Sequence, residues 1–268
     1  MDKTAIQEIK DLALSSVRIS PTDYPLAIVP KDMQVFPLER YQAQRNSYRV
    51  VYRTSHYRDY ISYVERNVQP SAQCFVNPDT MSARTLFDLG DIASPGHALH
   101  AAELSLSATA AFEAVSSIDE RQLEQSELSD WLEDWADNIT AFDDAGEEIS
   151  FANALAAVRK ITLDYAKSEE HEVGDFAAKK SAMESVEAKS KLTIPHSFTF
   201  TCETYSGLNI RDITLRLRIL TGSDEPILVL RMVKAEALKE AIAEEFADKV
   251  RFSLTGTDII VNIGTVEV

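Results

Sequence analysis

Cysteine is nearly absent from this chain of 268 residues: Cys74 and Cys202 are the only two, far apart and in no paired motif. Neither a disulfide framework nor a zinc site follows from that spacing, so both are expected as buried, reduced thiols. Glycine is scarce as well, and eight residues leave little room for a phosphate-cradling loop. The patterns GxxxxGK[ST], GxGxxG, GxSxG and HExxH do not occur, which removes the usual signatures of nucleotide-driven and hydrolase chemistry. No apolar run approaches the roughly 20 residues that span a bilayer. The opening MDKTAIQEIKDLALSSV contains acids and no unbroken apolar stretch, so neither a signal peptide nor a membrane partner is expected, and the expected compartment is the cytoplasm.

Positive charge is the next shortage. Lys and Arg number 27 against 43 Asp and Glu, for a formal net charge of −16. Such a charge repels nucleic acid and anionic lipid at long range. It is unevenly spread: positions 119 to 148 hold twelve acids against Arg121 alone, a local net of −11, and only −5 is left for the rest. What is present in quantity is apolar surface. With 45% hydrophobic residues, a chain of this length can bury roughly three quarters of the surface its unfolded form exposes, without help from metals or disulfides.

Hydrophobic period changes along the chain. Ile6, Ile9, Ala13 and Val17 predict an N-terminal helix, stopped by Pro21 and Pro25. LAIVPKDMQVFPLERY, broken by Pro30 and Pro37, suits short edge strands. YRVVYRT alternates Tyr48, Val50 and Tyr52 against Arg49, Val51 and Arg53, a strand with two different faces. Tyr57, Tyr60, Ile61 and Val64 then fall on one helical face, with Thr54 or Ser55 available as cap. AQCFV and ARTLFDLGD form a hairpin across NPDT, SPGH turns the chain, and HAAELSLS is a further strand. From Ala108 to Ile139 the pattern is helical, with Leu128, Trp131, Leu132, Trp135 and Ile139 inside and Ser126 as cap. Ser150 begins another helix, a polar stretch occupies 167 to 190, and LTIPHSFTFTCETY, DITLRLRIL and PILVLRMV make a meander with a GSDEP turn. A helix from about Lys234 to Asp248 and a final hairpin in VRFSLTGTDIIVNIGTV complete the reading. The expected fold is α+β: antiparallel sheets flanked by helices, with a central helical segment. Its parts are an N-terminal α+β region, 1–107, a mainly helical acidic segment, 108–190, and a C-terminal β-meander with one helix, 191–268, with one compact domain of all three as the alternative.

Several stretches in order, namely VPKDMQVFPLE, YISYVERN, MSARTLFDLGD, PGHALH, LSDWLEDWADNI and IPHSFTFTCETYSG leading into DITLRLRIL, resemble the YfdQ family of phage and prophage proteins. The resemblance covers nearly the whole chain. It implies phage or prophage origin, among accessory and recombination genes, and hence the cytoplasm of a host cell. It implies no reaction.

Candidate chemistry divides by charge. Positions 40 to 66 hold six arginines and six of the nine tyrosines. Arginine can pair with phosphate while tyrosine stacks on unpaired bases, so Arg49, Arg53, Arg58, Tyr48 and Tyr52 are the candidate nucleic-acid contacts. The packing alternative puts these tyrosines in a core. The acidic run offers Asp130, Glu133, Asp134, Asp137, Asp143 and Asp144 as an interaction face imitating the charge of DNA, or as an ordinary solvated face. Arg216 and Arg218 offer a basic strand face to the acids of a neighbouring copy. His97 and His100, beside Asp88, Asp91 and Glu103, have the chemistry of metal ligands, but on a strand they point apart. Glu187 and Lys189 form an E-x-K without the strand such nuclease motifs use. No metal, no cofactor and no catalytic residue is therefore assigned. The expectation is a non-catalytic protein that binds a macromolecule and self-associates, with a host or phage protein as partner and inhibition of host defence as one use. The alternatives are a single-stranded nucleic-acid binder of phage recombination and, behind it, a metal-dependent enzyme.

Overall fold

The computed structural model describes residues 3–15, 42–45, 47–161, 193–220 and 226–267. The chain divides into two units, Met1–Tyr48 and Arg49–Val268. In the first, helix α1 spans Lys3–Ser15 and leaves Ile6 and Ile9 exposed. The strands expected in LAIVPKDMQVFPLERY, the stretch 167–190 with Glu187 and Lys189, and the turn at GSDEP lie outside the described residues.

The second unit opens with β1 (Val50–Thr54), α2 (Tyr57–Arg66), β2 (Gln73–Asn77), β3 (Ser82–Leu86) and β4 (His100–Ser105). It continues with α3 (Ala110–Ile118), β5 (Gln122–Leu123), α4 (Gln125–Asp134), β6 (Ile139–Phe142), β7 (Glu148–Ile149) and α5 (Phe151–Val158). The last part holds β8 (Ser197–Glu203), β9 (Ile210–Leu220), β10 (Ile227–Met232), α6 (Ala235–Leu254) and β11 (Ile260–Ile263). Two sheets result, and with the helices they make an α+β fold. The first has the order β1-β4-β3-β2-β11, in which β1 lies parallel to β4 and β11 parallel to β2. The second, β5-β10-β9-β8-β6-β7, is antiparallel at every pairing.

Each sheet buries one face under helices, as alternating sequences demand. On the first, Tyr60 and Val64 of α2 and Ile242, Phe246 and Val250 of α6 meet Cys74, Val76 and Leu104. On the second, α3, α4 and α5 bring Val115, Leu128, Leu132 and Val158 onto Phe198, Phe200, Leu215, Leu217 and Leu230. Phe112 and Leu238 pack against both cores and join them. Tyr60 is fully buried, so its hydroxyl needs a partner. It has Thr85 Oγ1 at 2.7 Å.

Three local expectations are corrected. The stretch from Ala108 to Ile139 is not one helix: α3 ends at Ile118 because Asp119 Oδ1 accepts the N–H of Met232 at 2.6 Å and the N–H of Glu120 donates to Leu230 O at 2.8 Å. Pairing with β10 outweighs helix propensity there. Ser126 lies inside α4, whose capping box is formed by Glu124 and Glu127, and Ile139 opens a strand. The final hairpin is also replaced, since α6 runs on to Leu254 and β11 pairs with β2 across the sheet. At α2 the cap position belongs to His56, whose N–H donates to Thr54 Oγ1.

The connection from β3 to β4 is closed by Asp88, whose carboxylate accepts the N–H groups of Leu99 and His100 at 3.0 and 2.9 Å. A Cβ on Gly96 would stand 1.8 Å from the carbonyl oxygen of Asp88. Backbone cannot swing aside as a flexible side chain can, so Gly96→Ala is expected to cost about 2 kcal/mol, read as a lower midpoint in urea without a change of slope.

Candidate interaction surfaces

The face of the first sheet turned away from α2 and α6 carries a charged row across three strands, next to the buried pair Leu86 and Ala101. Arg53, Glu103 and Arg84 are register partners on β1, β4 and β3. Glu103 accepts from Arg53 Nε at 2.7 Å and lies 3.4 Å from Arg84 Nε, so one carboxylate serves two guanidiniums. The side chain of Arg53 keeps 71% exposure.

The other sequence-predicted nucleic-acid contacts are not brought onto that row. Tyr52 points to the covered face and stacks on Tyr63 with ring centroids 4.3 Å apart. Tyr63 in turn bonds His100 Nε2 through its hydroxyl at 3.1 Å, and the His100 ring lies 4.3 Å from that of Phe87. One face of the Tyr52 ring is thus engaged in packing. Arg58 is exposed on α2, in the layer that covers the opposite side of the sheet from Arg53. Arg49 is exposed at the start of the second unit, and Tyr48, the last residue of the first unit, is 61% exposed.

His97 and His100 are not brought together as ligands. His97 is exposed in the loop, whereas His100 is buried on β4 among Tyr63 and Phe87. Burial holds its imidazole below the usual range, against the pull of nearby Asp88, so the ring is neutral at pH 7. Among the described residues no group of three or more His, Cys, Asp or Glu is placed to hold a metal ion. Both cysteines are free and buried, and burial pushes the Cys202 thiol up to about 11, which disfavours the reactive thiolate.

The acidic run is divided between structure and surface. Asp119 holds the N–H of Met232, Glu124 and Glu127 cap α4, and Glu120 faces Arg231 at 3.6 Å. Glu133 meets Arg159 at 2.7 Å, Asp143 accepts the N–H of Glu147 at 2.8 Å, and Asp144 lies 3.9 Å from His196. Asp130, Asp134 and Asp137 are exposed and have no hydrogen-bond or ion-pair partner among the described residues. Asp130 and Asp134 project from α4 opposite Leu128, Leu132 and Trp131, whose indole, with that of Trp135, reaches Phe200 at 5.5 and 5.8 Å between centroids, and Asp137 lies in the turn Ala136–Asn138 beyond the helix. The candidates Asp130 and Asp134 therefore form a bare stripe on α4 with Asp137 bare just beyond it, while Glu133 and Asp143 are engaged. Among the described residues no ion pair joins the arginines of 40–66 to the acids of 119–148.

The face of the second sheet turned away from α3, α4 and α5 is basic at one end. Arg216 on β9 stands directly opposite Arg231 on β10, and Arg218 follows two residues along. Like charges in that relation are destabilising. Arg231 is answered by Glu120, but Arg216 and Arg218 have no partner among the described residues. On the other flank of Arg216 lies Ser197, and Thr199 faces Thr214. Asp212 closes the far end, accepting from Thr201 Oγ1 at 2.6 Å. Alternation in RDITLRLRIL marks Arg216 and Arg218 as outward in the sequence; the opposition to Arg231 is a matter of strand register and has no local signal.

Fold and surfaces together define an α+β protein of two sheets, each covered by helices on one face and carrying charged residues on the other. The chain belongs to the family of uncharacterized conserved proteins DUF2303, which it matches over residues 2–266. No curated protein and no solved structure matches it. Among the described residues no helix is long and apolar enough to cross a membrane.

Proposed function

We propose that this protein is a non-catalytic accessory protein of phage or prophage, resembling the YfdQ proteins, that works in the host cytoplasm by contact with a macromolecular partner and with copies of itself. One observation carries this reading: among the described residues the arginines of 40–66 make no ion pair with the acids of 119–148. Arg53 is answered by Glu103 and Glu133 by Arg159, while Asp130, Asp134 and Asp137 remain bare among the described residues. Exposed charges add little to the stability of the fold, whereas complementary charge steers and orients association. A partner protein that normally holds nucleic acid, such as an enzyme of host defence, fits the carboxylate stripe. The test is capture from phage-infected extract by the immobilised chain and by Asp130→Asn/Asp134→Asn/Asp137→Asn. A partner held by the first and lost by the second is expected; equal capture by both, or none by either, sinks the reading.

The rival, a binder of single-stranded nucleic acid, has the exposure of Arg49, Arg53 and Arg58 in its favour. Against it, Arg53 is already paired and Tyr52 is stacked within the protein. Fluorescence anisotropy with a labelled oligonucleotide at low salt separates the two. The contact reading expects no binding there, whereas binding that weakens steeply with salt and drops on Arg49→Ala/Arg53→Ala would establish the rival.

A further inference from the structure

The second sheet and its helices make a two-layer body whose outer surfaces carry opposite charge. On the helix side, α4 presents Asp130 and Asp134 away from the core residues Leu128 and Leu132, and Asp137 follows in the turn Ala136–Asn138 just beyond it. On the sheet side, Arg216 and Arg218 point away from the core residues Leu215 and Leu217. Neither set has a partner within the described residues: Arg216 stands opposite Arg231, but Glu120 answers Arg231 alone. We infer that these two surfaces are made for each other across copies: the arginine end of one copy's second sheet seats the α4 carboxylate stripe of the next.

Spacing supports the match. Two guanidiniums two residues apart on a strand are separated by about 6.8 Å of rise. Two carboxylates four residues apart on a helix are separated by about 6 Å. Arginine also takes a carboxylate through two parallel N–H bonds, which fixes orientation as well as sign. Thr214, Thr199 and Ser197 beside the arginines add hydroxyls for the flanks of such a helix.

The arrangement also decides the symmetry. Because the two surfaces lie on opposite sides of one layered body, a single two-fold partner cannot satisfy both. Every contact leaves an arginine end open on one copy and a stripe open on the other, so assembly is head-to-tail and closes as a ring or grows as a filament. The net charge of −16 opposes this at long range, but at about 0.15 M salt that repulsion is screened beyond roughly 8 Å while touching pairs persist.

This inference rests on the contact reading above and names one partner for it. It is tested by sedimentation velocity of the full chain at physiological salt, with circular dichroism as the check on folding. The unaltered chain is expected to sediment as a species larger than the monomer. Arg216→Glu/Arg218→Glu and Asp130→Lys/Asp134→Lys are each expected to weaken association on the order of a hundredfold. A one-to-one mixture of the two variants is expected to reassemble, because each then offers the surface the other lacks. The inference is overturned by a monomeric unaltered chain, by either variant assembling unchanged, or by a mixture that stays monomeric. Retention of an oligonucleotide by the monomeric chain and its loss in Arg216→Glu/Arg218→Glu would also overturn it and assign the arginines to phosphate. A monomer that still captures a protein from infected extract defeats only the head-to-tail contact; failure of capture defeats the broader reading.

Discussion

Replacing Phe246 by alanine is expected to lower stability by about 4 kcal/mol. The ring is completely buried on α6, in the core shared with Tyr60, Cys74, Leu104 and Val250. Truncation loses the transfer free energy of the ring and leaves a cavity that helix and sheet cannot close without moving apart. The same helix provides a control, since Phe252 is 82% exposed and Phe252→Ala is expected to stay within about 0.5 kcal/mol of the parent. For a body of this size the first change corresponds to roughly 10 °C in Tm. Thermal melts of the two variants side by side decide the matter: equal shifts would mean that α6 does not hold the first sheet as described.

Glu245→Ala is expected to cost about 3 kcal/mol. Its carboxylate meets Arg211 Nη2 at 2.6 Å and accepts the N–H of Asn209 at 2.6 Å, with side-chain exposures of 13% for Glu245 and 24% for Arg211. Arg211 also donates to Ala241 O at 3.0 Å. The group therefore ties the start of β9 in the second sheet to the helix covering the first. Removing the acid strands a half-buried guanidinium and an amide together, and the stranded groups account for most of the loss. Removing Arg211 as well is expected to return part of it, because the double variant leaves no uncompensated charge. Urea melts of the two single variants and the double variant measure this directly, and strictly additive losses would show that the pair does not act as one.

What the sequence made legible follows from the range of each interaction. The alternation in YRVVYRT and the helical spacing of Tyr57, Tyr60 and Val64 yield β1 and α2 almost to the residue, because one-sided burial is written into local spacing. The meander of β8, β9 and β10 is legible for the same reason. The break after α3 is not, since it depends on Asp119 reaching Met232, more than a hundred positions away. Nor is the final strand, whose neighbour β2 precedes it by most of the chain. Of the surfaces, the carboxylates of α4 and the outward arginines of β9 could be named from period alone. That Glu133 is answered by Arg159, Arg53 by Glu103 and Arg216 opposed by Arg231 required the register of the sheets.

The order of the strands bears on how the protein is made. The first sheet takes four strands from the early part of the chain and its fifth, together with its covering helix α6, from the end. A ribosome delivers the second sheet as an uninterrupted run while the first still shows Cys74, Val76 and Leu104 to the surroundings. Helix α2 is made early and covers part of the first sheet's greasy side, but the part under Ile242, Phe246 and Val250 waits for the last helix, which makes that interval the time when a chaperone is most needed.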